Sequence, residues 1–187
     1  MSRRSVRVWD LSTRLFHWGL VGAVIGSYVS VELGRMDWHL RFGYLVATLL
    51  VFRIVWGVLG SDTARFANLL AAPARTLNYA SGLLRRGRYR ASFGHNPLGG
   101  LSAIALVLLL AAQVGTGLFA NDDLFFEAPL ARLVEKEASD AATGWHGTVF
   151  NLLFALVLLH LAAVVFYTLR LRAGILAAMI TGRQEDR

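Results

Sequence analysis

The sequence predicts an all-α integral membrane protein, a four-helix transmembrane bundle with both termini in the cytoplasm. Three observations lead there. The 187 residues are 56% hydrophobic and 17% charged, with a mean hydropathy of +0.51, too apolar for a soluble domain of this size. The apolar residues fall into four runs, about 13–33, 38–59, 97–119 and 145–171. Each is near the roughly 20 residues that cross a hydrocarbon core about 30 Å thick. Finally, 14 of the 19 basic residues lie at or before the start of the first run, in the connection between the second and third, or from the end of the fourth run, at Arg170, to the C-terminus. By the positive-inside rule those three regions face the cytoplasm.

The first run opens with Arg14-Leu15-Phe16-His17-Trp18 and carries Gly19, Gly22 and Gly26. Small residues at this spacing admit another helix or a flat macrocycle, and both readings stand. Ser2-Arg3-Arg4 resembles a twin-arginine signal. The run behind it is long, contains His17 and lacks a small-residue cleavage site, so it is expected as an uncleaved span. The second run begins at Trp38-His39 and ends near Trp56-Gly57. Gly43 lies one turn below His39, and Arg53 falls 14 residues below it, nearly on the same face.

In the connection over 60–96, Pro73 suits the first turn of a helix and Gly87 its C-terminal cap. Leu77, Ala80 and Leu84 share one side. This predicts a short helix on the cytoplasmic headgroups, or else an ordinary basic loop. The third run is opened by Asn96 as cap and Pro97 in the first turn. Its interior holds no ionisable group and reads as scaffold. The next connection carries Asp122, Asp123, Glu127, Glu135, Glu137 and Asp140 against Arg132 and Lys136. It reads as a solvated loop, or as a patch that steers a basic redox partner. The fourth run contains Trp145-His146-Gly147, Asn151 and His160. No repeat divides the chain, which is expected as one membrane domain over 8–183.

Four histidines carry the functional reading: His17, His39, His146 and His160. An imidazole in a lipid-embedded helix is costly and marks a functional candidate. His146 and His160 are 14 residues apart, which on a helix puts them on one face about 21 Å apart. The topology sets their depths. His17 and His160 fall near the inner face, His39 and His146 near the outer. Two pairs at two depths match the axial ligands of two stacked haems, and bis-histidine haems move electrons rather than bind oxygen. A four-histidine site for one transition metal is the rival, but the pairs lie too far apart for one ion. His39 and His146 each follow a tryptophan, where an interfacial ring is ordinary; His160, among leucines, is not.

Composition narrows the options. The chain has no cysteine, which removes disulfides, iron–sulfur clusters and covalent haem attachment. Met1, Met36 and Met179 lie outside the expected spans, so histidine is the available haem ligand. The basic residues are dispersed over three segments, unlike a nucleic-acid-binding face. Arg53, near the inner level, can pair with a haem propionate or snorkel to headgroups. Arg41, near the outer face, suits snorkelling. His95 can contact a propionate or quinone, or simply stand at a helix entrance.

Arg14-Leu15-Phe16-His17-Trp18, His39 with Gly43 and Arg53, and Trp145-His146 with Asn151 and His160 resemble the bacterial cytochrome b561 family. Its wider superfamily includes the b-type cytochrome subunits of nickel–iron hydrogenases. Gly94-His95-Asn96-Pro97-Leu98-Gly99 and Thr116-Gly117-Leu118-Phe119 are similar to the hydrogenase-type branch. The resemblance implies a four-helix bundle with two non-covalent b haems held by His17, His39, His146 and His160, and exchange with a quinone pool, ubiquinone or menaquinone. Some members carry histidines in the third span; this chain has none there, so a quinone or superoxide site built on them does not carry over.

The function expected is transmembrane electron transfer in the bacterial inner membrane, between a periplasmic cytochrome c or hydrogenase-type partner and quinone. A stand-alone superoxide:quinone oxidoreductase is the alternative within the family. A metal or haem transporter is the alternative of another class, and would need open, exchangeable ligand sites.

Overall fold

The computed structural model describes residues 5–70, 73–86, 94–123, 126–171 and 173–185. Strand β1 (Ser5–Arg7) precedes α1 (Leu11–Glu32), α2 (Met36–Leu59), α3 (Phe66–Leu69), α4 (Pro73–Arg86) and α5 (Pro97–Gly117). A 3-10 turn at Ala131–Leu133, α6 (Lys136–Leu169), α7 (Ile175–Thr181) and β2 (Arg183–Glu185) follow. Among the described residues, α1, α2, α5 and α6 are long and apolar enough to cross a membrane. Their sequences are rich in Leu, Val and Ala, of which Val is a weaker helix former. In lipid, though, every backbone N–H and C=O must find its partner inside the segment, and the helix does that. Their side chains are mostly open to the surroundings: Val58 is 66% exposed, Leu108 65% and Leu159 64%.

The fourth spanning helix begins at Lys136, not near 145 as its apolar run suggested. Its 34 residues reach about 51 Å at 1.5 Å each, well beyond a hydrocarbon core. The first turns, with Glu137 and Asp140, are polar. The chain is also not purely helical. The ends pair as an antiparallel ribbon, with Val6 opposite Gln184. Gly87, Arg3, Arg4, Arg88, Arg90, Arg172 and Arg187 lie outside the described residues, as do the side chains of Leu84, Arg85 and Arg86.

Two compact units divide the chain. The first comprises Met1–Phe16, Ile54–Ala105 and Val157–Arg187. It unites both ends with the α2–α5 connection. Val8, Trp9 and Ala178 are buried together there with Met179 beside them, and the N–H groups of Val8 and Trp9 donate to the Gly182 carbonyl at 2.8 and 3.2 Å. Asp10 caps α1. It accepts from the Thr13 N–H at 2.6 Å and the Thr13 hydroxyl at 3.0 Å. The same carboxylate accepts from the Trp56 indole at 3.3 Å and from the Ser61 hydroxyl. Burial alone would push this carboxyl up; the donors from Ser61, Thr13 and Trp56 outweigh it and hold Asp10 below the usual carboxylate range. Asn96 caps α5 as expected, accepting from the Gly99 N–H at 2.8 Å. Helix α4 starts at Pro73, and its Tyr79 hydroxyl meets that of Tyr167 at 3.3 Å.

The second unit comprises His17–Arg53 and Leu106–Leu156. Gly34, at φ +65°, turns α1 into α2. The Arg35 N–H donates to the Ser30 carbonyl at 2.7 Å and the Gly34 N–H to Val31 at 2.9 Å, the two bonds of a Schellman cap. On α1, Gly26 faces the Phe42 ring and Gly19 the Leu49 side chain, so at these two positions the glycine stripe receives a helix. Gly22 has nothing within 4 Å. The acidic connection is laced internally: Arg132 pairs with Glu127 at 2.6 Å, and Lys136 with Asp123 at 2.6 Å and Asp140 at 2.8 Å.

Candidate functional site

His39 is the fourth residue of α2, a register that turns its ring back onto α1. Its Nδ1 lies 3.2 Å from the Ser27 carbonyl oxygen and 3.0 Å from the Ser27 hydroxyl. The carbonyl can only accept, so Nδ1 carries the proton and Nε2 the lone pair. Ser30, buried, donates its hydroxyl to the same carbonyl at 2.7 Å.

His146 repeats this arrangement between α5 and α6. Its Nδ1 donates to the Gln113 carbonyl at 3.0 Å, with the Thr116 hydroxyl at 3.3 Å. The Gln113 side-chain Nε2 stands 3.0 Å from His146 Nε2 and donates to it. Gly117 lies against the ring: a Cβ there would come within 2.8 Å of Cε1. Each imidazole is thus anchored on a carbonyl near the end of the preceding spanning helix. The two rings meet edge to face, with centroids 6.1 Å apart and planes at 90°. A carbonyl on Nδ1 fixes tautomer and ring angle and raises the basicity of Nε2, which is how metal-ligating histidines are held.

The structure brings His39 and His146 together. His17, half-buried on α1, meets the Trp18 ring edge-on at 5.1 Å and belongs to the second unit. His160 is half-buried on α6 and belongs to the first. Arg53 is buried, at 7% exposure, although it lies in a spanning helix. Arg41 lies over the Trp38 ring at 5.0 Å. His95 packs edge-on against Trp9 at 4.8 Å, just ahead of the capped start of α5. Among the described residues, no three of His, Cys, Asp or Glu are grouped to hold a metal ion. Ser27 and Gln113 were not foreseen from the sequence, because their part is played largely by backbone carbonyls.

A family model described as prokaryotic cytochrome b561 matches residues 8–182. The chain belongs to the prokaryotic cytochrome b561 family. No match was found among curated proteins or among solved structures. Members of the cytochrome b561 family are transmembrane electron-transfer proteins that bind b-type haem, and the four apolar helices accord with a multi-pass membrane protein.

Proposed function

We propose that this cytochrome b561 carries two b haems across the inner membrane, passing electrons between a periplasmic redox partner and the quinone pool. His39 and His146 hold the outer haem, and His17 and His160 the inner one. The single observation that carries the reading is the His39–His146 pair. Two imidazoles from different helices, brought side by side and each held by its Nδ1, form a ligand pair that would hold one haem iron. The rings stand 6.1 Å apart, each with Nδ1 committed to a carbonyl, which leaves the Nε2 lone pair for iron, that of His146 once the Gln113 amide lets it go.

When bound, the haem supplies reversible one-electron chemistry at iron. The chain does the rest. His39 and His146 would hold the outer haem as a pair, and a haem so held would pass electrons rather than bind a small molecule. Ser27 and Gln113 hold the rings in one tautomer, so no proton need move at either nitrogen when the redox state changes. His17 and His160 would hold the inner haem, and the Arg53 guanidinium would pair with a propionate. His95, at the start of α5 with Trp9, is placed for a quinone or propionate on the cytoplasmic side. The dense basic charge of the first unit supports a cytoplasmic location for both termini. The acidic α5–α6 connection would then face a hydrogenase-type or cytochrome c partner.

A reduced-minus-oxidised visible spectrum of the purified chain, with haem per protein, tests this. Two low-spin b haems per chain are expected. A colourless protein holding zinc would overturn it.

A further inference from the structure

Gln113 grips both nitrogens of one imidazole. Its backbone carbonyl accepts from His146 Nδ1, and its side-chain amide donates to Nε2, each at 3.0 Å. His39 has its Nδ1 on Ser27 and, among the described residues, no comparable donor on Nε2. The Gln113 amide holds this position at a cost, because its Oε1 is buried without a hydrogen-bond partner. A glutamine placed only to fill space would turn that oxygen towards a donor.

We infer that Gln113 is a positioning residue that caps the ligating nitrogen of His146 until haem takes it, so that the outer site engages His39 first and closes on His146. The inference rests on His39 and His146 being the outer haem ligands. The exchange balances simply. The Nε2 lone pair forms a bond to iron and one N–H···N hydrogen bond breaks; no proton and no electron is transferred.

The test is acylation of neutral imidazole nitrogens by diethyl pyrocarbonate in the full chain prepared without haem, mapped by mass spectrometry. In the wild type, His146 is expected to react more slowly than His39. Gln113→Leu should speed His146 by about two-fold to ten-fold, the loss of one hydrogen bond of ordinary net strength, and leave His39 unchanged. Gln113→Met, of similar length and without a donor, gives the same result if the leucine variant does not fold. Both variants should take up added haem faster than wild type and reach the same haem content. An unchanged His146 rate, while His39→Ala and His146→Ala each lose a haem, overturns the cap alone. Retention of both haems in those two alanine variants overturns the ligand assignment beneath it.

Discussion

Gly117 and His146 touch so closely that the glycine's missing Cβ is part of the site. A methyl there would stand 2.8 Å from the ring Cε1 and 3.0 Å from Nδ1. The ring cannot drift away cheaply, because Nδ1 is tied to the Gln113 carbonyl. Gly117→Ala should therefore displace His146 and empty the outer haem, lowering the content from two haems towards one. Helix α5 should not suffer, since alanine favours a helix by about 1 kcal/mol over glycine. Haem per protein beside far-ultraviolet circular dichroism separates the effects; unchanged haem would mean the ring has room to move.

The Thr116 hydroxyl, 3.3 Å from His146 Nδ1, adds to the electron density that the imidazole passes to iron. Thr116→Val keeps the shape and removes the oxygen. The oxidised iron is then less stabilised and the potential of one haem rises. A hydrogen bond of about 0.5–1.5 kcal/mol corresponds to about 20–65 mV for one electron. A redox titration should show one component moving and the other fixed. Movement of both, or of neither, contradicts the placement of Thr116 at one haem only.

Asp10 fastens the start of α1 to Trp56 and Ser61. Its carboxyl is held low because the donors outweigh burial. A carboxyl depressed in the folded state stabilises the fold above the unfolded-state value, near 4. That contribution is lost as pH falls below it, through the folded value. Asp10→Ala should lose about 1–2 kcal/mol at pH 7, the worth of an N-cap and its neighbours. Asp10→Asn should keep part of the cap but lose the acid-side dependence. Thermal melting in detergent at pH 7 and pH 3 reads both. An Asp10→Asn variant as acid-sensitive as wild type between those values would show that another group carries the effect.

The spans were legible because bilayer thickness imposes a length on apolar sequence, and Asn96-Pro97 announced the start of α5 through cap chemistry. The start of α6 was not legible, because Lys136–Gly144 has no apolar periodicity and is helical as the polar extension of a span. Helices α3 and α7 and the terminal ribbon were also hidden. They are three to seven residues long and depend on contacts such as the Val8 and Trp9 N–H groups on the Gly182 carbonyl. Asp10 could have been read, since Asp10-Leu11-Ser12-Thr13 ahead of an apolar run is a helix-start pattern. In the site, spacing and depth pointed to the four histidines, and of these the structure brings His39 and His146 together. Their supports were not: a backbone carbonyl leaves no mark in sequence, and nothing in Gln113 as a letter says that its amide faces a ring 33 residues later.

The pairing of the four histidines is the central claim. Haem content of the single and double alanine variants at His17, His39, His146 and His160 tests it most directly. His39→Ala and His146→Ala should each cost the same haem, and together no more than either alone. His17→Ala and His160→Ala should behave likewise for the other haem, and His17→Ala with His39→Ala should remove both. Loss of both haems on removing His39 and His146 together, or of only one on removing His17 and His39 together, would contradict the account.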